Sequence, residues 1–188
     1  EMYKKIVVID PACGGMNEGY TANGLLEKTV NLKVAQKLKE KLDKTDIKAY
    51  YTRMDDVNPE EESRVNLANA TKADMYNRIQ VDANEDVSVY GATAVYNDNY
   101  FIPGFGSVEL ADMLEREVVT SIKGKALGLS EADARDYTLR NVTIPAATIR
   151  VGCITNKQEA ILLGKEEYYD RIATGIYNAI VKVYDERT

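Results

Sequence analysis

The sequence predicts a single α/β domain with a largely parallel β-sheet across residues 1–188. Two observations support this fold class. Short apolar segments of strand length alternate with longer segments whose apolar residues recur at helical spacing, as in a sheet whose strands are joined by helices. The chain also lacks internal repeats and linkers, and its 188 residues suffice for one well-filled core.

In the first half of the chain, the clearest strand is the apolar run Ile6–Ile9, which suits a central position covered on both faces. A helix follows, because an apolar residue recurs every four positions from Val30 to Leu42. Pro59 opens the next helix, with three glutamates in its first turn. The elements predicted here are strands at residues 4–9, 47–52 and 74–81, a helix at 27–44, and the helix that begins at Pro59.

The second half continues the alternation. A loop at residues 97–106 carries Tyr100 and Phe101, aromatic residues that either stack on a ligand or pin the loop to the core. The last helix has a core stripe from Ile172 to Val183. The elements predicted here are strands at 87–96, 137–139 and 146–151, helices at 107–122, 157–163 and 166–184, and a flexible connection with a short helical piece at 124–136.

The composition excludes several classes of function. A net charge of −6 without a cluster of Lys and Arg argues against a nucleic-acid surface. No apolar run approaches the roughly 20 residues of a membrane span, and no signal peptide is evident. The chain contains no histidine, which excludes histidine-based acid–base catalysis and histidine-ligated zinc. Cys13 and Cys153 are too few for a disulfide framework, although a bridge between them stays open.

The segment from Ile6 to Leu32 is where we expect the functional site. A buried strand ends at Asp10, a glycine-containing loop follows, and a helix begins at Glu27. Such a junction presents its side chains at the carboxyl edge of the sheet, where α/β proteins bind their ligands. Asp10, Cys13 and Glu27 are therefore predicted to share one rim.

Several motifs in this chain, in this order, resemble the type 3 family of zinc-dependent N-acetylmuramoyl-L-alanine amidases. The motifs are IVVIDPACGG, GLLEKTVNLKVAQKL, YYTRMDD, ESRVNLANATKADM, RIQVDAN, IPAATIRVGCITNKQEAILL and YYDRIATGIYNAI. The resemblance spans practically the whole chain. It implies a central six-stranded, mostly parallel sheet with helices on both faces.

The resemblance also implies a chemistry. These amidases cut the amide between N-acetylmuramic acid and L-alanine in peptidoglycan. Zinc is held by the histidine of D-P-G-H-G-G, the glutamate of L-x-E-K and the histidine of S-I-H-x-N or S-I-H-A-D. A glutamate in L-V-E-x-G-F acts as the acid and base, while the metal polarises the carbonyl and activates water.

Only one of these four functional positions is retained here. Glu27 matches the ligand glutamate, whereas Cys13 and Gln80 stand where the two histidines belong and Arg150 stands where the catalytic glutamate belongs. Gln is a poor zinc ligand, so we expect no zinc cofactor and no catalytic residue. An arginine stays protonated and cannot act as a base. We expect Arg150 to replace the missing cation by pairing with Glu27.

The sequence therefore favours an inactive, metal-free relative that binds peptidoglycan or its stem peptide, or acts as a scaffold, in the bacterial envelope or outside the cell. The predicted cleft residues are Cys13, Glu27, Gln80, Asp82 and Arg150. One alternative is an active amidase whose non-standard metal site uses Cys13, Glu27 and Asp82. Cys13 as a nucleophile is a weaker alternative, and a module that binds an envelope protein is a third.

Overall fold

The computed structural model describes residues 4–97 and 103–187, and its centre is a six-stranded sheet. The strands are β1 (Ile6–Pro11), β4 (Lys48–Tyr51), β5 (Met75–Asp82), β6 (Ala92–Tyr96), β7 (Ala126–Glu131) and β8 (Ala146–Cys153). Two short strands, β2 (Thr21–Ala22) and β3 (Leu25–Leu26), form a separate antiparallel ribbon.

The strand order is β4-β1-β5-β8-β6-β7. β1 pairs in parallel with β4 and β5, and β5 pairs in parallel with β8. β6 is antiparallel to β8 and parallel to β7. The carboxyl ends of β1, β5 and β8 consequently meet at one edge, and the four positions that correspond to the family's functional residues lie on or next to these strands. The predicted six-stranded, mostly parallel sheet is confirmed.

Helices cover both faces of this sheet, as predicted. α1 (Glu27–Leu42), α3 (Ser107–Ile122), α5 (Lys157–Leu163) and α6 (Glu166–Arg187) pack on one face, and α2 (Glu61–Ala70) and α4 (Tyr137–Asn141) pack on the other. Successive side chains of a strand point to opposite faces of the sheet, so each strand contributes residues to both cores. Val7 and Ile9 belong to the first core and Val8 to the second, so Asp10 also faces the α2 and α4 side.

Three predicted elements differ in the structure. Residues 126–131 form strand β7 instead of a flexible connection, residues 137–141 form helix α4 instead of a strand, and only Ala92–Tyr96 of the predicted strand 87–96 is extended. β7 is an edge strand whose side chains are almost all exposed, so it has no alternation of buried residues to detect. The predicted number of strands in the central sheet is right, but the prediction puts one of them at residues 137–139, whereas the structure has it at residues 126–131.

Tyr100 and Phe101 of the predicted aromatic loop lie outside the described residues. Within the part of the chain that the structure describes, no helix combines the length and the apolar character needed to cross a membrane.

Candidate functional site

The loop between β1 and α1 brings Cys13 and Glu27 together, as predicted. A Cβ atom added to Gly19 would lie 2.5 Å from Glu27 Oε1 and 2.8 Å from Cys13 Sγ, so both side chains meet over this glycine. Gly19 has φ +70°, and Gly14 has φ +126° with the Val57 carbonyl against it. A side chain at either glycine would disrupt the loop, because it would be strained and would overlap its neighbours.

Two buried arginines hold this loop in place. Arg53 donates from Nε to the Pro11 carbonyl at 2.8 Å and from Nη2 to the Ala12 carbonyl at 2.9 Å. Arg64 donates from Nη2 to the Cys13 carbonyl at 2.8 Å. The backbone that positions Cys13 is therefore fixed by guanidinium groups, which present several donors in a rigid plane.

Asp10 lines the same cleft as Cys13, so these two residues of the predicted rim share one site. It is fully buried, and its Oδ1 accepts hydrogen bonds from Arg64 Nη1 and Thr52 Oγ1, both at 2.6 Å. Tyr76 donates its hydroxyl to Oδ2. Burial and the adjacent Asp10 carboxylate raise the pKa of Tyr76 well above its ordinary value, which keeps this phenol a donor. Asp10 has a structural role beneath the site.

The predicted ion pair between Glu27 and Arg150 is wrong. Glu27 Oε2 accepts the Val81 backbone N–H at 2.9 Å, and Oε1 accepts the Tyr20 backbone N–H at 3.1 Å. Among the described residues, the carboxylate has no salt bridge. Glu27 is the first residue of α1, and its carboxylate reaches the backbone of β5 at Val81. Peptide N–H groups therefore stabilise the charge, and no guanidinium is required.

Arg150 instead lies beside Gln80. The two residues are register partners on β8 and β5, and Arg150 Nε donates to Gln80 Oε1 in a long hydrogen bond of 3.5 Å. Since Ile149 and Ile79 pack in the core under α1, α3 and α6, Arg150 and Gln80 face the opposite side of the sheet. Both side chains are half-buried.

Cys13 is a protonated thiol at neutral pH. Burial is the largest cause and the nearby Glu27 carboxylate the next, and together they raise the pKa of Cys13 to about 12. A thiol is a poor nucleophile and a poor metal ligand until it loses its proton. This argues against the nucleophile alternative. Cys13 and Cys153 are both free, and Cys153 is buried as expected for a core residue.

Within the described residues, Asp82 makes no hydrogen bond to Cys13 or Glu27. Its Oδ1 accepts the backbone N–H of the next residue, Ala83, at 2.8 Å. Its carbonyl accepts the Ile154 N–H, also at 2.8 Å, which joins the ends of β5 and β8. Asp82 therefore shapes the edge of the sheet locally.

Sequence reasoning missed a buried charge pair, Arg78 with Asp136. Arg78 Nη1 donates to Asp136 Oδ1 at 3.0 Å, and its Nε donates to Thr148 Oγ1 at 2.7 Å. Burial works to lower the pKa of Arg78, yet the Asp136 carboxylate raises it above its ordinary value. Arg78 stands at the serine position of the S-I-H motif. A comparison of that motif at every position would therefore have revealed the replacement of serine by arginine.

A cleft of about 330 Å³ lies beside this site, and three of the predicted cleft residues, Glu27, Asp82 and Arg150, are not among the residues that line it. Its walls include Cys13 and Gln80 from the predicted site, Arg64 and Arg78 from the buried network, and Glu60 at the start of α2. The walls are mainly polar, and charges of both signs are present. The cleft offers hydrogen-bonding groups to a polar ligand.

The residues present do not fit a catalytic zinc ion. Within residues 4–97 and 103–187, no group of three or more His, Cys, Asp or Glu side chains could hold a metal ion. Catalytic zinc sites use three protein ligands, whereas here Gln80 is a neutral amide, so Cys13 and Glu27 leave the set one ligand short. The same finding disfavours a site made of Cys13, Glu27 and Asp82.

Comparison with known proteins gives one consistent family. A family model described as N-acetylmuramoyl-L-alanine amidase matches residues 7–182. The uncharacterized protein YqiI of Bacillus subtilis (strain 168) is 32% identical over 97% of this chain and 86% of that protein. The germination-specific N-acetylmuramoyl-L-alanine amidase of the same organism is 31% identical over 97% of this chain and 81% of that protein.

Solved structures agree. The N-acetylmuramoyl-L-alanine amidase from Clostridium difficile 630 superposes with a TM-score of 0.90 at 29% identity and covers 100% of both chains. The catalytic domain of CwlV, an amidase from Bacillus (Paenibacillus) polymyxa var. colistinus, gives 0.88 at 26% identity, covering 96% of this chain and 98% of that one. The CwlD amidase from Clostridioides difficile, solved in complex with the GerS lipoprotein, gives 0.87 at 26% identity, covering 97% and 99%.

Proposed function

Since the chain belongs to the N-acetylmuramoyl-L-alanine amidase family, we propose that it is a metal-free, catalytically inactive member that binds peptidoglycan or acts as a scaffold in the cell envelope. The observation that carries this proposal is the replaced donor set. Glu27 is the one family ligand retained, whereas Cys13 and Gln80 stand at the other two ligand positions and Arg150 stands at the position of the catalytic glutamate.

The chemistry of the replacements argues against hydrolysis. Water activation needs a base, and the residue at the glutamate position, Arg150, offers hydrogen-bond donors and no acceptor for a proton. Cys13 keeps its proton because burial raises its pKa to about 12. Neither residue supplies the general base that amide hydrolysis requires.

Binding does not need the lost groups. A ligand is held by complementarity to its ground state, whereas catalysis needs extra stabilisation of the transition state. The polar cleft beside Gln80 and Arg78 offers complementarity to the ground state of a polar ligand. Peptidoglycan is the substrate class of the family, so it is the ligand that we propose, with the cell envelope as the location.

The test is retention on purified, insoluble peptidoglycan combined with metal analysis and an amide-hydrolysis assay. We expect the intact chain to sediment with the polymer, to carry no stoichiometric zinc and to release no stem peptide. Glu60→Trp, which narrows the cleft, should weaken retention, whereas Glu40→Trp on the exposed side of α1 should leave it unchanged. Stoichiometric zinc together with released peptide would instead support the active-amidase alternative.

A module that binds an envelope protein is the second candidate, because one structural relative, the CwlD amidase, was solved with a lipoprotein partner. The same sedimentation experiment separates the two functions. A folded chain that is not retained on peptidoglycan would favour the protein-binding function.

A further inference from the structure

Two rows of polar side chains cross the sheet on the face that α2 and α4 cover. In the inner row, Asp10, Arg78 and Thr148 lie on adjacent strands, and all three are buried. In the outer row, Gln80, Arg150 and Thr93 are register neighbours on β5, β8 and β6. All three residues of the outer row are half-buried.

The two arginines differ in how their charge is compensated. Arg78 is paired with the carboxylate of Asp136. Within the described part of the chain, Arg150 makes the long hydrogen bond to Gln80, and no carboxylate lies within ion-pairing distance of it there. The η nitrogens of Arg150 have no protein acceptor in that part of the chain, so the hydration that they lose on partial burial is not replaced.

In the outer row, the polar groups of Gln80 and Arg150 that have no protein partner among the described residues are donors. Because a guanidinium cannot accept a hydrogen bond, the Gln80 side chain turns its amide oxygen toward Arg150. The Gln80 Nε2 group then has no protein acceptor among the residues described, and Gln80 lines the cleft. Arg150 is not among the residues that line the cleft, but it is the neighbour of Gln80 on the next strand. A ligand at this amide that accepts several hydrogen bonds and carries negative charge therefore lies next to the guanidinium.

We propose that Arg150 and Gln80 bind the carboxylate of a cell-wall peptide, at the place where catalytic relatives have a glutamate and a zinc ligand. This proposal rests on the proposed peptidoglycan-binding function and names the group that is recognised. A planar guanidinium matches a carboxylate with two parallel hydrogen bonds. One fixed positive charge balances one carboxylate, whereas it would leave half the charge of a phosphate dianion uncompensated.

Isothermal titration calorimetry of the intact chain with N-acetylmuramoyl-L-alanine and with its C-terminal amide tests the proposed carboxylate site directly. We expect the free acid to bind roughly tenfold or more tightly than the amide, as is typical of a hydrogen-bonded charge pair. Inorganic phosphate should compete no better than acetate. A phosphate that displaces the ligand more effectively than acetate would contradict the assignment to a carboxylate.

Arg150→Met should remove the preference for the acid, while Arg135→Met, a charge removed from an exposed loop, should preserve it. The ratio measured on the unaltered chain decides the matter even if Arg150→Met does not fold. No preference for the acid in a chain that is retained on peptidoglycan would overturn this site alone. Absence of both ligand binding and retention would overturn the proposed function together with it.

Discussion

At the scale of single residues, the motifs predicted which side chains come together but not the hydrogen bonds that these side chains make. Cys13 and Glu27 meet as expected, and Gln80 and Arg150 are neighbours. The expected pair between Glu27 and Arg150 fails because a backbone N–H, that of Val81, takes the carboxylate. Peptide N–H groups carry no signature in a sequence, so competition between them and a side chain becomes visible only in three dimensions.

Restoring the family residues should restore a metal site. We expect the triple variant Cys13→His, Gln80→His, Arg150→Glu to bind about one zinc per chain, because three ligands complete a catalytic site. Residue 13 has φ 68°, a left-handed conformation in which histidine is tolerated better than most residues. Metal analysis after dialysis measures the outcome.

The matched control is Glu27→Gln in the same triple background, which removes one ligand and should lose the zinc. A triple variant with an unchanged circular dichroism spectrum and no bound zinc would show that residues 13 and 80 do not occupy ligand positions. The unaltered chain should remain free of stoichiometric zinc in parallel.

At the scale of helices and strands, patterning worked wherever an element buries a face. α3 and α5 begin and end at the predicted residues, and α6 begins where expected. β7 and α4 were missed for opposite reasons: β7 is exposed along nearly its whole length, and α4 has only five residues. The start of α4 is set by Asp136, whose side chain accepts the Leu139 N–H, and this cap could have been recognised.

Asp136 joins α4 to the sheet, because it caps the helix and also pairs with Arg78. Asp136→Ala should lower the free energy of unfolding by roughly 3–5 kcal/mol, the usual cost of leaving one partner of a buried ion pair uncompensated. Urea denaturation followed by circular dichroism measures this. Asp133→Ala, which removes an exposed carboxylate from the preceding loop, is the control and should have little effect.

The double variant Arg78→Ser, Asp136→Ala separates the charge from the cap. Removing the unpaired guanidinium should recover part of the lost stability, since the cost comes mainly from a buried charge without a partner. If the double variant is no more stable than Asp136→Ala alone, the cap is the dominant contribution and the buried pair is not.

At the scale of the whole molecule, several buried groups share one direction of pKa shift. Burial raises the pKa of Cys13, Cys153 and Tyr168 to about 12 in each case. Burial also raises the pKa of Tyr51 and Tyr76. These groups are neutral in the folded chain and come from both cores and from the site, so their effect belongs to the molecule as a whole.

This common direction predicts instability in alkali. Unfolded thiols ionise near pH 9 and unfolded phenols near pH 10, so above these values the unfolded state binds fewer protons than the folded state, and stability falls as pH rises. Each contribution is complete below the unfolded pKa and is lost as pH rises through the folded value. Urea midpoints measured at pH 7, 9 and 10.5 should therefore decrease in that order.

Removing the thiols tests the cause. In the variant Cys13→Ser, Cys153→Ala, the part of the decline that begins near pH 9 should shrink by up to about 1 kcal/mol at pH 10, after allowance for the partial exposure of Cys13. The decline above pH 10 should persist, because the tyrosines remain. An unchanged profile in this variant would assign the whole alkaline transition to the tyrosines, and a flat profile in the unaltered chain would contradict the shifts themselves.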